Sequence, residues 1–163
     1  MFKFFSKKEE FITNFYAVSS GKLIDITEVN DDVFSQKMLG DGFAILPEEE
    51  DVFSPIDGTI SAIFPTKHAI SIEDDKSGVE ILLHMGIDTV ELEGDPFEIF
   101  VKPGDKVLHS DKIAQMNLEK VNEANKLTDI IVAIPNENDW SFKLTSPKEK
   151  IFANNVVGKI SKN

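Results

Sequence analysis

Two histidines, His68 and His84, are the residues of this sequence with the most obvious capacity for chemistry. His84 follows an apolar run at residues 79–83 that predicts a β-strand, and His68 precedes a second such run at residues 69–72. The connector at residues 73–78 contains Asp, Lys, Ser and Gly and is typical of a hairpin turn. Pairing the two runs as a hairpin therefore predicts that His68 lies beside His84.

The alternation of side chains along a strand predicts what surrounds His84. Glu80 and Leu82 share the face of His84. The opposite face carries Ile81, Leu83 and Met85. Gly86 follows directly, so the chain is able to turn tightly beside the imidazole.

Three roles fit such a pair of histidines. They could be buried, hydrogen-bonded structural residues, or they could bind zinc, although two further convincing ligands are not evident nearby. In the third role, one neutral imidazole attacks phosphorus without a separate base, while the second imidazole and backbone donors hydrogen-bond the phosphoryl oxygens. The spacing of the residues leaves all three roles open.

The composition narrows the class of protein. The chain has 163 residues, enough for one domain, and 41% of them are hydrophobic, enough for a core. The absence of cysteine excludes disulfides and thiolate chemistry and fits a reducing cytosol. The formal net charge of −12 argues against binding to nucleic acid. The motifs of phosphate-binding loops and of common hydrolases, GxxxxGK followed by Ser or Thr, GxGxxG, GxSxG and HExxH, do not occur.

Short apolar runs separated by glycine and other turn residues dominate the sequence. They predict an all-β fold, an antiparallel β-sandwich or barrel of short strands with one or two short helices. The strands are predicted at residues 15–18, 22–26, 43–45, 51–53, 59–64, 69–72, 79–83, 99–101, 130–134 and 156–160. A helix is predicted at residues 117–126 and a shorter helical turn at residues 33–39.

The two ends of the chain are predicted to differ from the middle. Residues 1–13 are expected to form a flexible tail and residues 14–163 a single domain, in which residues 136–150 show little periodicity. The tail mixes Phe with Lys, which predicts at most weak contact with a membrane. It is unlike a signal peptide, so the expected location is the cytoplasm. His109 lies in a polar hairpin and is expected to be exposed to solvent.

Residues 78–92, with the sequence GVEILLHMGIDTVEL, resemble the phosphorylation signature of the glucose-type IIA components of the bacterial phosphoenolpyruvate-dependent sugar phosphotransferase system. Residues 66–72, TKHAISI, are similar to the segment that carries the second active-site histidine of that family. Residues 33–42 and 54–60 add supporting similarity. The resemblance extends from about residue 14 to residue 134.

The resemblance implies a phosphotransferase domain that carries a phosphoryl group on His84, with His68 assisting the transfer. It also implies that the Thr66 hydroxyl hydrogen-bonds His68 and that the Gly86 carbonyl orients the phosphorylated ring. The donor would be the histidine-containing phosphocarrier protein, and the acceptor would be a cysteine in the IIB domain of a sugar permease. No cofactor would be required, although His68 and His84 could hold an adventitious or regulatory zinc ion.

A docking face around the two histidines is a further implication of the resemblance. Its apolar members are expected to be Val33, Phe34, Phe64, Ile70, Leu82, Met85 and Val90, with Asp31 and Asp88 at an acidic rim. An alternative function is a non-catalytic regulatory module that uses the same apolar face. A zinc hydrolase is a third possibility, and the lack of an HxH ligand pair argues against it.

Overall fold

The computed structural model describes residues 12–135 and 139–162. The strands are β1 (Ile12–Tyr16), β2 (Gly21–Asp25), β3 (Asp41–Pro47), β4 (Asp51–Phe53), β5 (Gly58–Ile63), β6 (Ala69–Asp74), β7 (Glu80–Ile87), β8 (Phe97–Ile99), β9 (Lys106–Val107), β10 (Lys112–Met116), β11 (Leu127–Ile134), β12 (Trp140–Leu144), β13 (Lys148–Ile151) and β14 (Val156–Lys162). The helices are α1 (Asp32–Ser35) and α2 (Leu118–Glu123), with 3₁₀ turns at Ile26–Glu28 and Thr89–Leu92. The predicted all-β fold with one or two short helices is confirmed.

The strands form three open antiparallel sheets, so the fold is a sandwich and not a closed barrel. The main sheet has eight strands in the order β13-β2-β3-β11-β7-β6-β5-β9. Two sheets of three strands have the orders β1-β14-β12 and β4-β10-β8. Strand β7, which carries His84, is hydrogen-bonded to β11 on one side and to β6 on the other.

The two faces of β7 pack into two different hydrophobic clusters. The large main core receives Ile81, Leu83 and Met85, which are at most 1% exposed. Leu82 lies on the other face and packs, partly buried, against a smaller cluster made of Ile26, Val29, Phe34, Ala44, Ile87, Ile131 and Ala133. The alternation predicted around His84 is therefore confirmed.

The C-terminal part of the domain is more regular than its sequence suggested. Strand β12 pairs with β14, and β13 pairs with β2, within the segment at 136–150 whose sequence shows little periodicity. Phe142 of β12 packs edge-on against Phe15, with ring centroids 5.7 Å apart, and lies 5.9 Å from Phe43. The described residues of this segment therefore form strands without sequence periodicity, because aromatic packing against the core orders β12.

The predicted tail lies mostly outside the described residues. Strand β1 begins at Ile12, so Ile12 and Thr13, which were assigned to the tail, pair with Ser161 and Ile160 of β14. The expected weak membrane contact involves residues 1–11, of whose structure nothing is described. Among the residues that the structure does describe, none of the helices has the length and apolar character needed to cross a membrane.

Side-chain caps define where both helices begin. Asn117 accepts a hydrogen bond from the Lys120 N–H at 3.0 Å and starts α2, within the predicted helix at 117–126. Asp31 accepts hydrogen bonds from the N–H groups of Val33 and Phe34 and starts α1 within the region of the predicted turn. The helix α2 is shorter than predicted, and Asn125, at a φ of 61°, leaves the helical conformation just beyond it.

Candidate functional site

The hairpin of β6 and β7 brings the two histidines together. Ala69 pairs with His84, and the Met85 N–H donates to the His68 carbonyl at 2.7 Å. The two imidazole rings meet edge to face, with centroids 4.9 Å apart. The predicted proximity of His68 and His84 is confirmed.

The orientation of the His84 ring is set by a hydrogen bond from its own turn. Nδ1 of His84 lies 2.8 Å from the Gly86 carbonyl oxygen. Because a carbonyl only accepts hydrogen bonds, Nδ1 carries the proton of the neutral ring and Nε2 keeps a free lone pair. The arrangement leaves Nε2 as the nucleophilic nitrogen of His84.

Gly86 is the residue type that this turn requires. Its φ is +79°, in the left-handed region that glycine adopts without steric cost. A Cβ at this position would lie 2.4 Å from Cγ2 of Thr89 and 3.0 Å from the Leu127 carbonyl oxygen. The close packing therefore fixes the backbone whose carbonyl orients His84.

His68 has its own oxygen partner. Its Nδ1 and the Thr66 hydroxyl share a hydrogen bond of 2.6 Å within the turn that joins β5 to β6. That turn is closed by a hydrogen bond from the Lys67 N–H to the Phe64 carbonyl at 2.7 Å. When the threonine hydroxyl donates, the proton of the neutral His68 ring lies on Nε2, which is then a donor for an anionic oxygen.

Burial keeps both imidazoles neutral. Desolvation, followed by the neighbouring His68, lowers the pKa of His84 to about 4, although the hydrogen bond to Gly86 and the charges of Asp31 and Asp88 act in the opposite direction. Burial also lowers the pKa of His68. Near neutral pH, His84 is therefore unprotonated at Nε2 and able to attack an electrophile.

Two phenylalanines flank the pair of histidines. The Phe34 ring meets the His84 ring edge-on at 5.0 Å, and the Phe64 ring meets the His68 ring at 5.5 Å. Phe34 is 5% exposed and sits on α1, whose first turn Asp31 caps. Asp31 was expected only as a rim charge, yet its carboxylate also holds the helix that places Phe34 against His84.

The predicted docking face is partly present. Val33, Phe64 and Val90 are between 40% and 47% exposed, Asp88 is exposed, and Leu82 is partly buried. Phe34, also assigned to this face, is only 5% exposed and contributes little surface to it. The assignment of Ile70 and Met85 is wrong because both are completely buried.

Strand geometry explains why these two residues are buried. Ile70 pairs with Leu83, and both side chains enter the main core together with Met85. Met38, which was not assigned to the face, is 67% exposed just after α1, where its N–H donates to the Val33 carbonyl. An exposed methionine beyond a short helical turn carries no distinctive sequence signal.

His109 belongs to another part of the fold. Its ring stacks on Tyr16 at 3.7 Å with the two planes 8° apart, and its backbone N–H donates to the Asp57 carboxylate at 2.8 Å. The ring is half-buried, and Nδ1 has no hydrogen-bond partner among the described residues. The expectation that His109 is simply exposed to solvent is therefore wrong, because the Tyr16 ring covers it.

A metal site is not evident in the geometry. In the ranges 12–135 and 139–162, there is no group of three or more His, Cys, Asp or Glu side chains arranged to hold a metal ion. His68 and His84 would thus supply two of the four ligands that zinc usually takes. Zinc binding at this pair stays a prediction.

Comparison with known proteins gives consistent matches over most of the chain. The family model described as the phosphoenolpyruvate-dependent sugar phosphotransferase system, EIIA 1, matches residues 13–140. The PTS system glucose-specific EIIA component of Staphylococcus aureus (strain COL) is 46% identical over 111 residues, which cover 68% of this chain and 66% of that protein. Among solved structures, the glucose permease IIA from Mycoplasma capricolum superposes with a TM-score of 0.82 at 35% identity, covering 93% of this chain and 96% of that one.

Some relatives are much longer proteins. The PTS system glucose-specific EIICBA component of Streptococcus pneumoniae serotype 4 is 43% identical over 121 residues, which cover 74% of this chain but 16% of that protein. The match to the PTS system glucose-specific EIICBA component of Staphylococcus carnosus covers 18% of that protein. The chain therefore spans less than a fifth of the length of these two relatives.

Proposed function

This chain belongs to the EIIA 1 family of the phosphoenolpyruvate-dependent sugar phosphotransferase system, and on that premise we propose that it carries the phosphoryl group on Nε2 of His84. The role of a phosphocarrier follows from membership of the family, which makes the alternative of a purely regulatory binding module less favoured. The observation that carries the assignment of the atom is the hydrogen bond from Nδ1 to the Gly86 carbonyl, which leaves the Nε2 lone pair free.

The transfer to this chain is a simple displacement at phosphorus. The Nε2 lone pair of His84 forms the new N–P bond, while the N–P bond of the donor imidazole breaks and its electron pair stays on the donor nitrogen. His68 donates a hydrogen bond from Nε2 to a phosphoryl oxygen, because the Thr66 hydroxyl holds its other nitrogen. In the onward step, the N–P bond on His84 breaks and its electron pair returns to Nε2 as sulfur bonds to phosphorus.

A relay component has a phosphotransfer partner on each side. We assign the donor as the histidine-containing phosphocarrier protein and the acceptor as a cysteine thiolate in the IIB domain of a sugar permease. The relatives named EIICBA support this assignment, as does the exposed apolar face formed by Val33, Phe64 and Val90. Glucose is the proposed sugar because the relatives are named for it, and the cytoplasm is the proposed location.

The test uses the intact chain with phosphoenolpyruvate and the two general proteins of the relay. We expect one acid-labile, base-stable phosphoramidate, which mass spectrometry locates on His84 and phosphorus–nitrogen coupling in NMR assigns to Nε2. Label on another residue would refute the assignment of His84, and label on Nδ1 would refute the role of the Gly86 carbonyl. Transfer to a IIB domain, and its loss when the IIB cysteine is replaced by serine, tests the acceptor separately.

A further inference from the structure

Thr89 lies directly behind the turn that orients His84. It is completely buried and begins the 3₁₀ turn that follows β7. Its hydroxyl donates a hydrogen bond of 2.5 Å to the Met85 carbonyl. Its methyl carbon lies against Cα of Gly86, so closely that a Cβ there would come within 2.4 Å of it.

These two contacts restrain the peptide groups on either side of Gly86. The hydroxyl holds the carbonyl of the peptide that enters Gly86, and the methyl group limits movement of its Cα. The next carbonyl, that of Gly86 itself, is the one that accepts from Nδ1 of His84. Asp88, at the start of the same turn, makes no side-chain capping hydrogen bond, so its carboxylate does not add a restraint of its own at this end of the turn.

We propose that Thr89 is a positioning residue, whose hydroxyl and methyl groups hold the Gly86 carbonyl on Nδ1 of His84 and so reserve Nε2 for the phosphoryl group. The proposal rests on the proposed role of His84 as the phosphoryl acceptor. Thr89 acts through the backbone of Gly86 and does not reach the reacting atoms. The hydroxyl is the main restraint, because it bonds the Met85 carbonyl, and the methyl adds only packing against Gly86.

Replacement of Thr89 by valine and by serine separates the two groups. Thr89→Val keeps the methyl and replaces the hydroxyl by a second methyl, which removes the donor, and Thr89→Ser keeps the donor and removes the methyl. The first readout is the ring nitrogen spectrum of His84 in the unphosphorylated protein, which reports the proton on Nδ1 or on Nε2. The second is the rate of phosphoryl acceptance, and the ring signals of His109 serve as an internal control for an intact fold.

We expect Thr89→Val to move part of the His84 proton from Nδ1 to Nε2. The same variant is expected to slow phosphoryl acceptance by about five- to ten-fold, the effect of losing roughly one hydrogen bond. Thr89→Ser should keep the wild-type proton position and a rate within about two-fold of wild type. If Thr89→Val does not fold, the comparison of Thr89→Cys with Thr89→Ser decides in its place, because both lack the methyl and the thiol is the weaker donor.

Unchanged His84 ring signals in Thr89→Val, or equal losses in the valine and serine variants, would overturn the proposal. The position of the ring proton is measured without any phosphoryl transfer. If the wild-type protein has the His84 proton on Nδ1 but takes no label on His84, the proposed function is refuted. The effect of Thr89 on the His84 ring proton is still measured in that case. The reverse pattern, with label on His84 but a ring insensitive to Thr89, would refute only the positioning role.

Discussion

His84 and His109 are both half-buried histidines beside an aromatic ring, yet their Nδ1 atoms differ in hydrogen bonding. At His84, the Gly86 carbonyl holds Nδ1 and the Phe34 ring meets the imidazole edge-on. At His109, the Tyr16 ring covers the imidazole face, and Nδ1 has no hydrogen-bond partner within the described parts of the chain. Both histidines thus pack against an aromatic ring. Of the two, only His84 has an acceptor for its Nδ1 proton among the described residues, and this acceptor leaves the lone pair on Nε2.

The comparison separates burial from chemical competence. Burial suppresses the charge of an imidazole, but it does not decide which nitrogen attacks. A polar partner for one ring nitrogen makes that decision. A second imidazole lies with its ring centroid 4.9 Å away, and we propose that it donates to the incoming oxygens. His109, whose Nδ1 has no partner among the described residues, serves as the control for the effect of such a partner.

Removal of each histidine in turn gives the largest contrast. His84→Ala should abolish acceptance of the phosphoryl group because the only proposed nucleophile is lost. His109→Ala should accept label at a rate within about two-fold of wild type, since substitutions away from a site usually have small effects. Radiolabel transfer from the general relay proteins measures both, and loss of labelling in the His109 variant would break the comparison.

The second imidazole is expected to donate to the phosphoryl oxygens in both steps, but its loss should show mainly in onward transfer, because acceptance retains its nucleophile, His84. His68→Gln keeps a hydrogen-bond donor but cannot reproduce the ring, and loss of a single oxyanion donor typically costs about 2.7–4 kcal/mol, or about 10²–10³ in rate. The variant should still take up label on His84. Single-turnover transfer to the IIB acceptor measures the effect, with His109→Gln as its control. Complete failure of a well-folded His68→Gln to accept label would mean that His68 is an obligatory acceptor.

Acid should destabilise the His84 region in a characteristic pH window. The pKa of His84 is about 4 in the folded chain and 6.5 for a solvent-exposed imidazole, as in the unfolded chain. Between pH 4 and pH 6.5, the unfolded chain therefore holds a proton on His84 that the folded chain does not. The free energy of unfolding therefore falls as the pH drops from 6.5 to 4, by about 3 kcal/mol for this group. Urea unfolding across that range should reveal the loss in wild type and in His109→Gln, and a smaller one in His84→Gln. Identical pH profiles for all three proteins would contradict the buried, neutral state of His84.

Gly86, beside His84, and Gly104, in the loop before β9, differ in how closely other atoms pack around them. Gly86 and Gly104 both have positive φ values, of +79° and +95°, but a Cβ at Gly104 would meet nothing within 4 Å. Each alanine variant bears the backbone cost of the left-handed conformation, and only Gly86→Ala adds a collision, for which we expect a further loss of about 2 kcal/mol. Chemical denaturation gives the difference, and equal losses would show that the turn beside His84 relaxes freely.

The smallest effect concerns charge at the rim. Asp88→Asn removes one charge at a residue with a φ of 61°, a conformation that asparagine tolerates. It should slow transfer by about two- to five-fold at low salt, and the deficit should shrink as ionic strength rises. Asp111→Asn removes the same charge near His109 and should change little. An Asp88 effect that does not depend on salt would argue against electrostatic steering at this face.

Sequence patterns predicted the histidine pair well because local rules govern it. Alternation along β7 and the hairpin with β6 suffice to bring His68 beside His84. The partners of the ring nitrogens, Thr66 and Gly86, came from the family resemblance and not from the spacing. A hydrogen bond across a turn depends on backbone torsions such as the φ of +79° at Gly86, which the residue order alone does not specify.

The errors had two sources: the family resemblance was preferred to the strand alternation, and packing formed a strand whose sequence has no pattern. Ile70 and Met85 were assigned to the docking face from the resemblance, although alternation already placed Met85 away from His84. The charged strand β13 has no apolar alternation and was invisible to a pattern search, because it is held by pairing with β2. The low pKa of His84 was also out of reach, since it depends on burial and on a neighbour that only the fold brings near.

The place of β7 within the eight-stranded sheet has a consequence for how the carrier meets its two partners. Hydrogen bonds to β11 and β6 hold β7 on both edges, so exposing its amides to solvent exchange requires a large part of the sheet to open. Such opening costs a free energy close to that of global unfolding, and binding of a transient partner does not supply it. Donor and acceptor therefore meet the same rigid backbone, and the direction of the relay depends on the chemical state of one imidazole instead of on a rearranged strand.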